Sequence, residues 1–142
     1  MSIARILAQR NAGEIVTCDA AMPLRDAVAL LAEKRIGALP VMDGGRVAGI
    51  FSERDVIHCL ASYGGGVLDL TVGHAMTAPA ITVSPDTDVL AALALMTQRR
   101  IRHLPVTEAG ELVGFISIGD LVKHRIDRIE AEAEAMRSYI QA

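Results

Sequence analysis

The chain contains one segment twice, and this duplication limits the folds that it can adopt. Residues 15–58 superpose on residues 80–123 without a gap, and equivalent residues lie 65 positions apart. The correspondence includes residues 36–41 with 101–106 and residues 49–55 with 114–120. A repeat of this length buries too little apolar surface to fold alone. We therefore expect the two copies to share one core about a pseudo-twofold axis, with paired clefts between them.

Composition indicates one compact domain of mixed helix and strand. The chain has 142 residues, of which 51% are hydrophobic, and it has no Trp. Small aliphatic residues dominate over aromatics, which suits helices packed closely on short strands.

Charge and hydropathy argue against several classes of protein. A net charge of -3 provides no field that attracts phosphate backbones, so no nucleic-acid partner is expected. The N-terminal residues carry charges where a signal peptide needs an apolar stretch, and the longest apolar run, residues 89–96, is too short to cross a bilayer. We expect a cytoplasmic protein with no membrane partner. Cys18 and Cys59 have no metal or redox spacing and are expected to be buried as small apolar residues.

Each copy reads as strand, helix, strand, strand, helix. A short extended piece (residues 15–18 or 80–83) precedes a helix with apolar residues at helical spacing and basic residues at its end. Two strands follow, joined by a hairpin at residues 43–45 or 108–110. The predicted fold class is α/β, with two β-α-β-β-α repeats and an extended C-terminal helix.

Domain boundaries follow from the repeat. The first repeat with its N-terminal segment covers residues 1–66, the second covers 67–126, and a helical extension covers 127–142. Residues 62–66 are rich in glycine and predict a flexible joint. A short amphipathic piece precedes each repeat, at residues 3–7 and 72–76.

The last helix carries a stripe of apolar residues beyond the repeat. They step by four, three, four, three and four: Val122, Ile126, Ile129, Ala133, Met136 and Ile140. The stripe either packs back on its own domain or mediates self-association, since so long a helix needs a partner surface.

Two motifs recur in order in both copies, and a third occurs in the first copy alone. They are a Leu-Pro-Val strand, a Gly-x-x-Ser-x-x-Asp turn and, in the first copy, the phrase Phe-Ser-Glu-Arg-Asp-Val at residues 51–56. With these motifs the chain resembles a tandem pair of CBS domains, named after cystathionine beta-synthase, over nearly its whole length and in a free-standing form. The resemblance implies binding of adenosine-containing ligands such as AMP, ADP, ATP, NAD(H) or S-adenosylmethionine between the repeats. It also implies association into a homodimer.

The repeated turn has chemistry suited to a nucleotide. Ser52 and Ser117 stand at helix N-termini, where free backbone N–H groups and the helix dipole favour a phosphate. Asp55 and Asp120, one turn later, can accept hydrogen bonds from both hydroxyls of a ribose. The same Ser-x-x-Asp spacing is close to a capping box, and the two roles can coexist.

The resemblance assigns ligand-binding residues to each cleft. Nearest Asp120 we expect ribose on Asp120, phosphate near Ser117 and Arg102 or His103, and the base against Ile36, Gly37, Phe115 and Thr17. In the pseudo-symmetric cleft we expect Asp55, Ser52 and Arg54, with Ile50, Ile101 and Thr82 lining the base. The two clefts differ chemically, because the second copy has Ile118-Gly119 where the first has Glu53-Arg54. The copies also diverge where the first has Gly37-Ala38 and the second has Arg102-His103.

The leading hypothesis is a non-catalytic regulatory module that senses adenine nucleotides, AMP, ATP or NAD(H), on behalf of a protein target. The alternative is a protein-interaction or oligomerisation module with degenerate ligand sites. An enzyme is not expected, because the histidines show no metal-ligand spacing and His58-Cys59, as helix neighbours, point in different directions. No catalytic residue, metal site or catalytic cofactor is assigned.

Overall fold

The computed structural model describes residues 1–9 and 15–141. Its helices are α1 (Ile3–Gln9), α2 (Leu24–Lys34), α3 (Glu53–Tyr63), α4 (Val72–Ala75), α5 (Val89–Arg99) and α6 (Ile118–Gln141), with a 3-10 helix at Gly64–Asp69. Its strands are β1 (Cys18–Asp19), β2 (Ala38–Asp43), β3 (Arg46–Ser52), β4 (His103–Glu108) and β5 (Glu111–Ser117). The α/β class, the repeat and the long last helix are confirmed.

The two hairpins have the same register. In each, the Leu-Pro-Val strand pairs antiparallel with the strand that ends at the repeated serine, so that Ala38 lies opposite Ser52 and His103 opposite Ser117. Each carries a β-bulge at the equivalent place, after Val41 and after Val106. The duplication in sequence is therefore a duplication in backbone geometry.

The extended pieces that begin the repeats are shorter than predicted. In the first copy only Cys18–Asp19 forms a strand, parallel to β2. In the second copy the pairing shrinks to one bridge between Val83 and Val106. A strand at the edge of a small sheet gains only one row of hydrogen bonds, so its length is weakly specified by its sequence.

The two repeats have separate cores rather than the single shared core expected. One contains Leu24, Leu39, Val41 and Phe51 from the first copy. The other consists of the equivalent apolar residues of the second copy, among them Val89, Leu104, Val106 and Ile116.

Each core is completed by the short helix that precedes the other repeat. Ile3 and Ile6 of α1 are buried in the second core, and Val72 of α4 is buried in the first. Each contact is accompanied by an equivalent antiparallel β-bridge. Ser2 pairs with Asp88, and Thr71 pairs with Pro23. This exchange of leading helices crosses the boundary placed between residues 66 and 67, and it binds the repeats into one unit.

The glycine-rich segment is not a flexible joint, contrary to prediction. Its first two residues end α3, and its glycines begin the 3-10 helix. Val67 in that helix is 1% exposed and belongs to the first core. Burial of this one apolar side chain anchors a segment whose composition alone indicates flexibility.

Candidate functional site

The repeated Ser-x-x-Asp turns form reciprocal capping boxes. At the start of α3 the Ser52 N–H donates to Asp55 Oδ2 over 2.8 Å, and the Asp55 N–H donates to Ser52 Oγ over 3.4 Å. At the start of α6 the Ser117 N–H donates to Asp120 Oδ2 over 2.8 Å, and the Asp120 N–H donates to Ser117 Oγ over 3.1 Å. The capping role is thus present in both copies, and it holds each carboxylate beside the end of a strand.

Asp55 makes further hydrogen bonds to side chains. Its Oδ1 accepts a hydrogen bond of 2.9 Å from Thr77 Oγ1, and its Oδ2 accepts one of 3.1 Å from Ser52 Oγ. The Thr77 backbone also pairs with Ile50 through two hydrogen bonds, of 3.0 and 2.8 Å. Both oxygens of Asp55 are therefore engaged within the protein, and the outer edge of β3 at Ile50 is occupied by Thr77.

An aromatic surface lies at the start of β4. The rings of His103 and Phe115 are stacked, with centroids 5.4 Å apart and planes inclined by 13°. Both side chains are half-buried. The equivalent residues in the first copy are Ala38 and Ile50, so this surface belongs to the second copy alone.

His103 lies among charged groups from both repeats. Burial lowers the pKa of His103 below its ordinary value of 6.5, and the nearby Arg102 acts in the same direction. The carboxylates of Asp120 and Glu53 oppose that lowering of the pKa. Since Glu53 begins α3 of the first repeat and Asp120 lies in the first turn of α6 of the second, the imidazole lies where the two repeats meet. We call His103, Phe115, Asp120 and Glu53 the His103 cluster.

Gly37 has its open side covered by Glu53. A Cβ on Gly37 would lie 3.0 Å from Glu53 Oε1, and the Glu53 N–H donates to the Gly37 carbonyl over 3.0 Å. The space predicted there for a base is therefore partly filled by a flexible carboxylate side chain.

The other predicted residues fall into three groups. Arg102, Arg54 and Thr82 are exposed. Ile36 and Ile101 are half-buried against the first and the second core respectively. Thr17 is half-buried just before β1. The exposed arginines are available to anions, whereas the isoleucines serve mainly as edges of the two cores.

Two residues near the site were not assigned from the sequence. Glu53 differs between the copies, where the second has Ile118, and this difference was the available signal. Thr77 had no such signal, because its contact with Asp55 depends on α4 packing against the first repeat rather than the second.

The repeated glycines serve helix packing. A Cβ on Gly49 would lie 2.6 Å from the Thr77 carbonyl oxygen, and one on Gly114 would lie 2.7 Å from Leu7 Cδ2. The closely approaching element is the exchanged leading helix and the residue that follows it.

A largely apolar pocket of about 550 Å³ lies between α2 and α3. It is lined by Val28, Leu31, Ala32, Arg35, Ile36, Glu53, Val56 and Ile57. Its volume is in the range of small-molecule sites. Of the predicted ligand residues only Ile36 lines it. Glu53, inside the Ser52–Asp55 turn, also lines it, so the pocket lies beside that turn.

Within residues 1–9 and 15–141 no cluster of three or more potential metal ligands occurs. Over the same residues no helix is both long and apolar enough to cross a membrane. Cys18 is buried and Cys59 is half-buried, and both are free thiols.

Comparison with known sequences places the duplication in a family. The sequence pattern of the CBS domain matches residues 11–62 and again residues 72–127. These matches cover most of the chain, which therefore belongs to the CBS-domain family as a tandem pair.

Solved structures share the fold over nearly the whole chain. A CBS-domain protein of Burkholderia ambifaria is 40% identical, with a TM-score of 0.83 over 89% of this chain and 95% of that one. The structure of CBSX2 in complex with AMP is 25% identical, with a TM-score of 0.74 over 89% of this chain and 96% of that one.

A curated relative is the CBS domain-containing protein CBSX3, mitochondrial, of Arabidopsis thaliana. It is 36% identical over 134 residues, which are 91% of this chain. The chain spans 65% of the length of that relative.

Proposed function

We propose that this chain is a regulatory module without chemistry of its own, which binds an adenosine-containing ligand (AMP, ATP or NAD(H)) between its two repeats. The AMP in the structure of CBSX2 supports this ligand class. The observation that carries the proposal is the His103 cluster, because it joins a stacked aromatic surface to a carboxylate at a helix N-terminus. A base stacks on the first and a ribose diol bonds to the second.

The cleft at Asp120 is the principal site in this proposal. The ribose hydroxyls donate to Asp120, and the phosphate lies near Ser117 and Arg102 or His103. Arg102 supplies the positive charge, whereas His103, whose pKa is lowered, supplies a neutral N–H donor. The base lies against Phe115 on one side and against Ile36, Gly37 and Thr17 on the other. The capping bond to Ser117 is compatible with this role, because a carboxylate has about four acceptor positions.

The cleft at Asp55 is weaker in this proposal. A ribose there competes with Thr77, whose hydroxyl already donates to Asp55 over 2.9 Å. The first copy also has Ala38 and Ile50 in place of the stacked rings. Because the stacked rings occur only in the second copy, we expect the Asp120 cleft to fill first.

Calorimetry with two ligands tests the assignment of the ribose. Asp120→Asn weakens the charge-assisted hydrogen bonds to the diol, each worth roughly 1.5 to 3 kcal/mol, so AMP affinity falls about tenfold or more. The same substitution changes the affinity for 2′,3′-dideoxy-AMP by no more than about twofold, because that ligand has no diol to lose.

Asp55→Asn is the matched control, since it weakens the equivalent capping box in the first copy. It leaves the first AMP binding event unchanged. Equal losses for AMP and the dideoxy analogue in Asp120→Asn would contradict the ribose assignment. Absence of any shift in melting temperature with AMP, ATP or NADH would contradict the ligand class, because a ligand selective for the folded state must raise it.

Regulation requires that the ligand prefer one arrangement of the repeats. Glu53 of the first repeat and Asp120 of the second both act on His103, so a ligand at this cluster contacts both halves. A change in the angle between the repeats then passes to a protein target or a second copy through the exposed helices.

A further inference from the structure

The second half of α6 extends away from the rest of the protein. Every residue from Ile129 to Gln141 is exposed. At 1.5 Å per residue these thirteen residues extend about 20 Å. A helix segment without tertiary packing has little stability of its own, so a partner surface along this part would stabilise α6.

The apolar stripe of α6 is not covered by its own domain. The large apolar residues of the stripe are 43% to 75% exposed: Val122, Ile126, Ile129, Met136 and Ile140. The face that packs on the domain is a different one, because Leu121 is buried and His124 and Arg128 are partly buried, while the partly buried Arg125 lies at its border with the stripe. The steps of four and three along the stripe match the a and d positions of a coiled coil.

The charges that flank the stripe determine the direction of pairing. With Ile126 and Ala133 at a positions, Arg125 and Glu132 are at g and Glu130 and Arg137 are at e. In a parallel pair each g residue meets the e residue five positions later in the second helix. Arg125 then faces Glu130 of the second copy, and Glu132 faces Arg137 of the second copy.

An antiparallel pair would place like charges together. With the same apolar layers in contact, Glu130 faces Glu130 and Glu132 faces Glu132 of the second copy, while Lys123 faces Arg137. Opposite charges therefore face each other only in the parallel pair. The small Ala133 in a central layer suits two strands, because a third strand would leave a hole at the axis.

We propose that α6 pairs in parallel with α6 of a second copy of this chain, through the stripe from Val122 to Ile140 and two kinds of ion pair across it. The intrahelical pairs Arg128 with Glu132, at 3.2 Å, and Arg137 with Glu134, at 2.9 Å, do not prevent this. Glu132 and Arg137 have side chains 63% and 65% exposed, and such exposed pairs are weak.

Sedimentation equilibrium of the full chain tests the pairing. Glu132→Arg places an arginine opposite Arg137 of the second copy on both sides of the helix pair. We expect the dissociation constant of the dimer to rise roughly tenfold. The double variant Glu132→Arg with Arg137→Glu restores the opposite charges and recovers most of that loss. Glu134→Arg is the matched control, because it makes the same change of charge on the outer face and leaves the dimer unchanged.

An oxidative cross-link tests the direction. Ile140→Cys forms a disulfide-linked dimer in a parallel pair, whereas in an antiparallel pair residue 140 lies opposite residue 122. The unsubstituted chain under the same oxidation controls for Cys18 and Cys59.

Three results would overturn the proposal. They are a monomer at micromolar concentration, a trimer, and a dimer that Glu132→Arg and Glu134→Arg affect equally. Failure of Ile140→Cys to cross-link would overturn the parallel direction.

Discussion

Thr77 donates a hydrogen bond of 2.9 Å to Asp55, although the two residues lie 22 positions apart. Thr77 follows α4, the helix exchanged onto the first repeat, and Asp55 lies in the first turn of α3. The hydrogen bond thus connects the exchange of helices to the turn that the sequence assigns to a ligand.

Thr77→Val keeps the shape of the side chain and removes the donor. We expect the free energy of unfolding to fall by about 1 kcal/mol, the usual worth of one hydrogen bond, as measured by urea denaturation. Thr82→Val, at an exposed threonine of the second copy, is the control. An unchanged stability in Thr77→Val would mean that this bond contributes nothing in solution.

Gly49→Ala and Gly114→Ala form a matched pair with different expected costs. A Cβ at residue 49 meets the Thr77 carbonyl oxygen at 2.6 Å, which is backbone and cannot move without disturbing the bridge to Ile50. A Cβ at residue 114 meets the end of the Leu7 side chain at 2.7 Å, and that side chain can change rotamer. We expect losses of about 3 kcal/mol and about 1 kcal/mol respectively in urea denaturation. The reverse order would argue against the packing of the exchanged segments described above.

Arg35 and Arg100 occupy equivalent left-handed positions after α2 and α5, with φ of 54° and 55°. Only glycine adopts this conformation without cost. We therefore expect Arg100→Gly to raise the free energy of unfolding by about 0.5 kcal/mol and the melting temperature with it. Arg99→Gly, one residue earlier and inside α5, should instead cost about 1 kcal/mol. A loss of stability in both variants would contradict the left-handed cap.

His103 should make stability depend on pH in the acid range. Because its pKa is lowered in the folded protein, the unfolded chain binds a proton more readily below the ordinary value of 6.5. Its contribution to stability is therefore present above pH 6.5 and is lost as the pH falls below it. The pH dependence of urea denaturation between pH 5 and 8 should be smaller in His103→Gln than in the unsubstituted chain.

Cys18 should resist thiol reagents. Burial, with a smaller effect from the Asp19 carboxylate, raises the pKa of Cys18 from 9.0 to about 11. At pH 8 we expect Ellman's reagent to label the half-buried Cys59 first and Cys18 only after unfolding. The folded protein also loses stability as the pH rises from 9.0 towards about 11, because the unfolded chain releases the Cys18 proton first. Labelling of Cys59→Ser at the rate of the unsubstituted chain would contradict the protection of Cys18.

The repeat, the order of elements and the capping serines followed from the sequence because they depend on neighbouring residues. Helical spacing, hairpin turns and the Ser-x-x-Asp pattern each depend on residues a few positions apart, and each of them occurs in both copies. The same local rules placed Asp55 and Asp120 at helix N-termini. They could not distinguish a cap from a ribose contact, since both use the same carboxylate.

Tertiary structure alone decided which repeat each leading helix completes. The apolar spacing of α1 and α4 fits either core equally well, because burial of an apolar side chain is not directional. The choice of core brings Thr77 to Asp55 and Leu7 to Gly114. Packing between distant segments also divides the apolar residues into two cores and buries Val67 beside the glycine-rich segment. The sequence thus determined the units and their local chemistry, whereas packing between distant segments determined their partners.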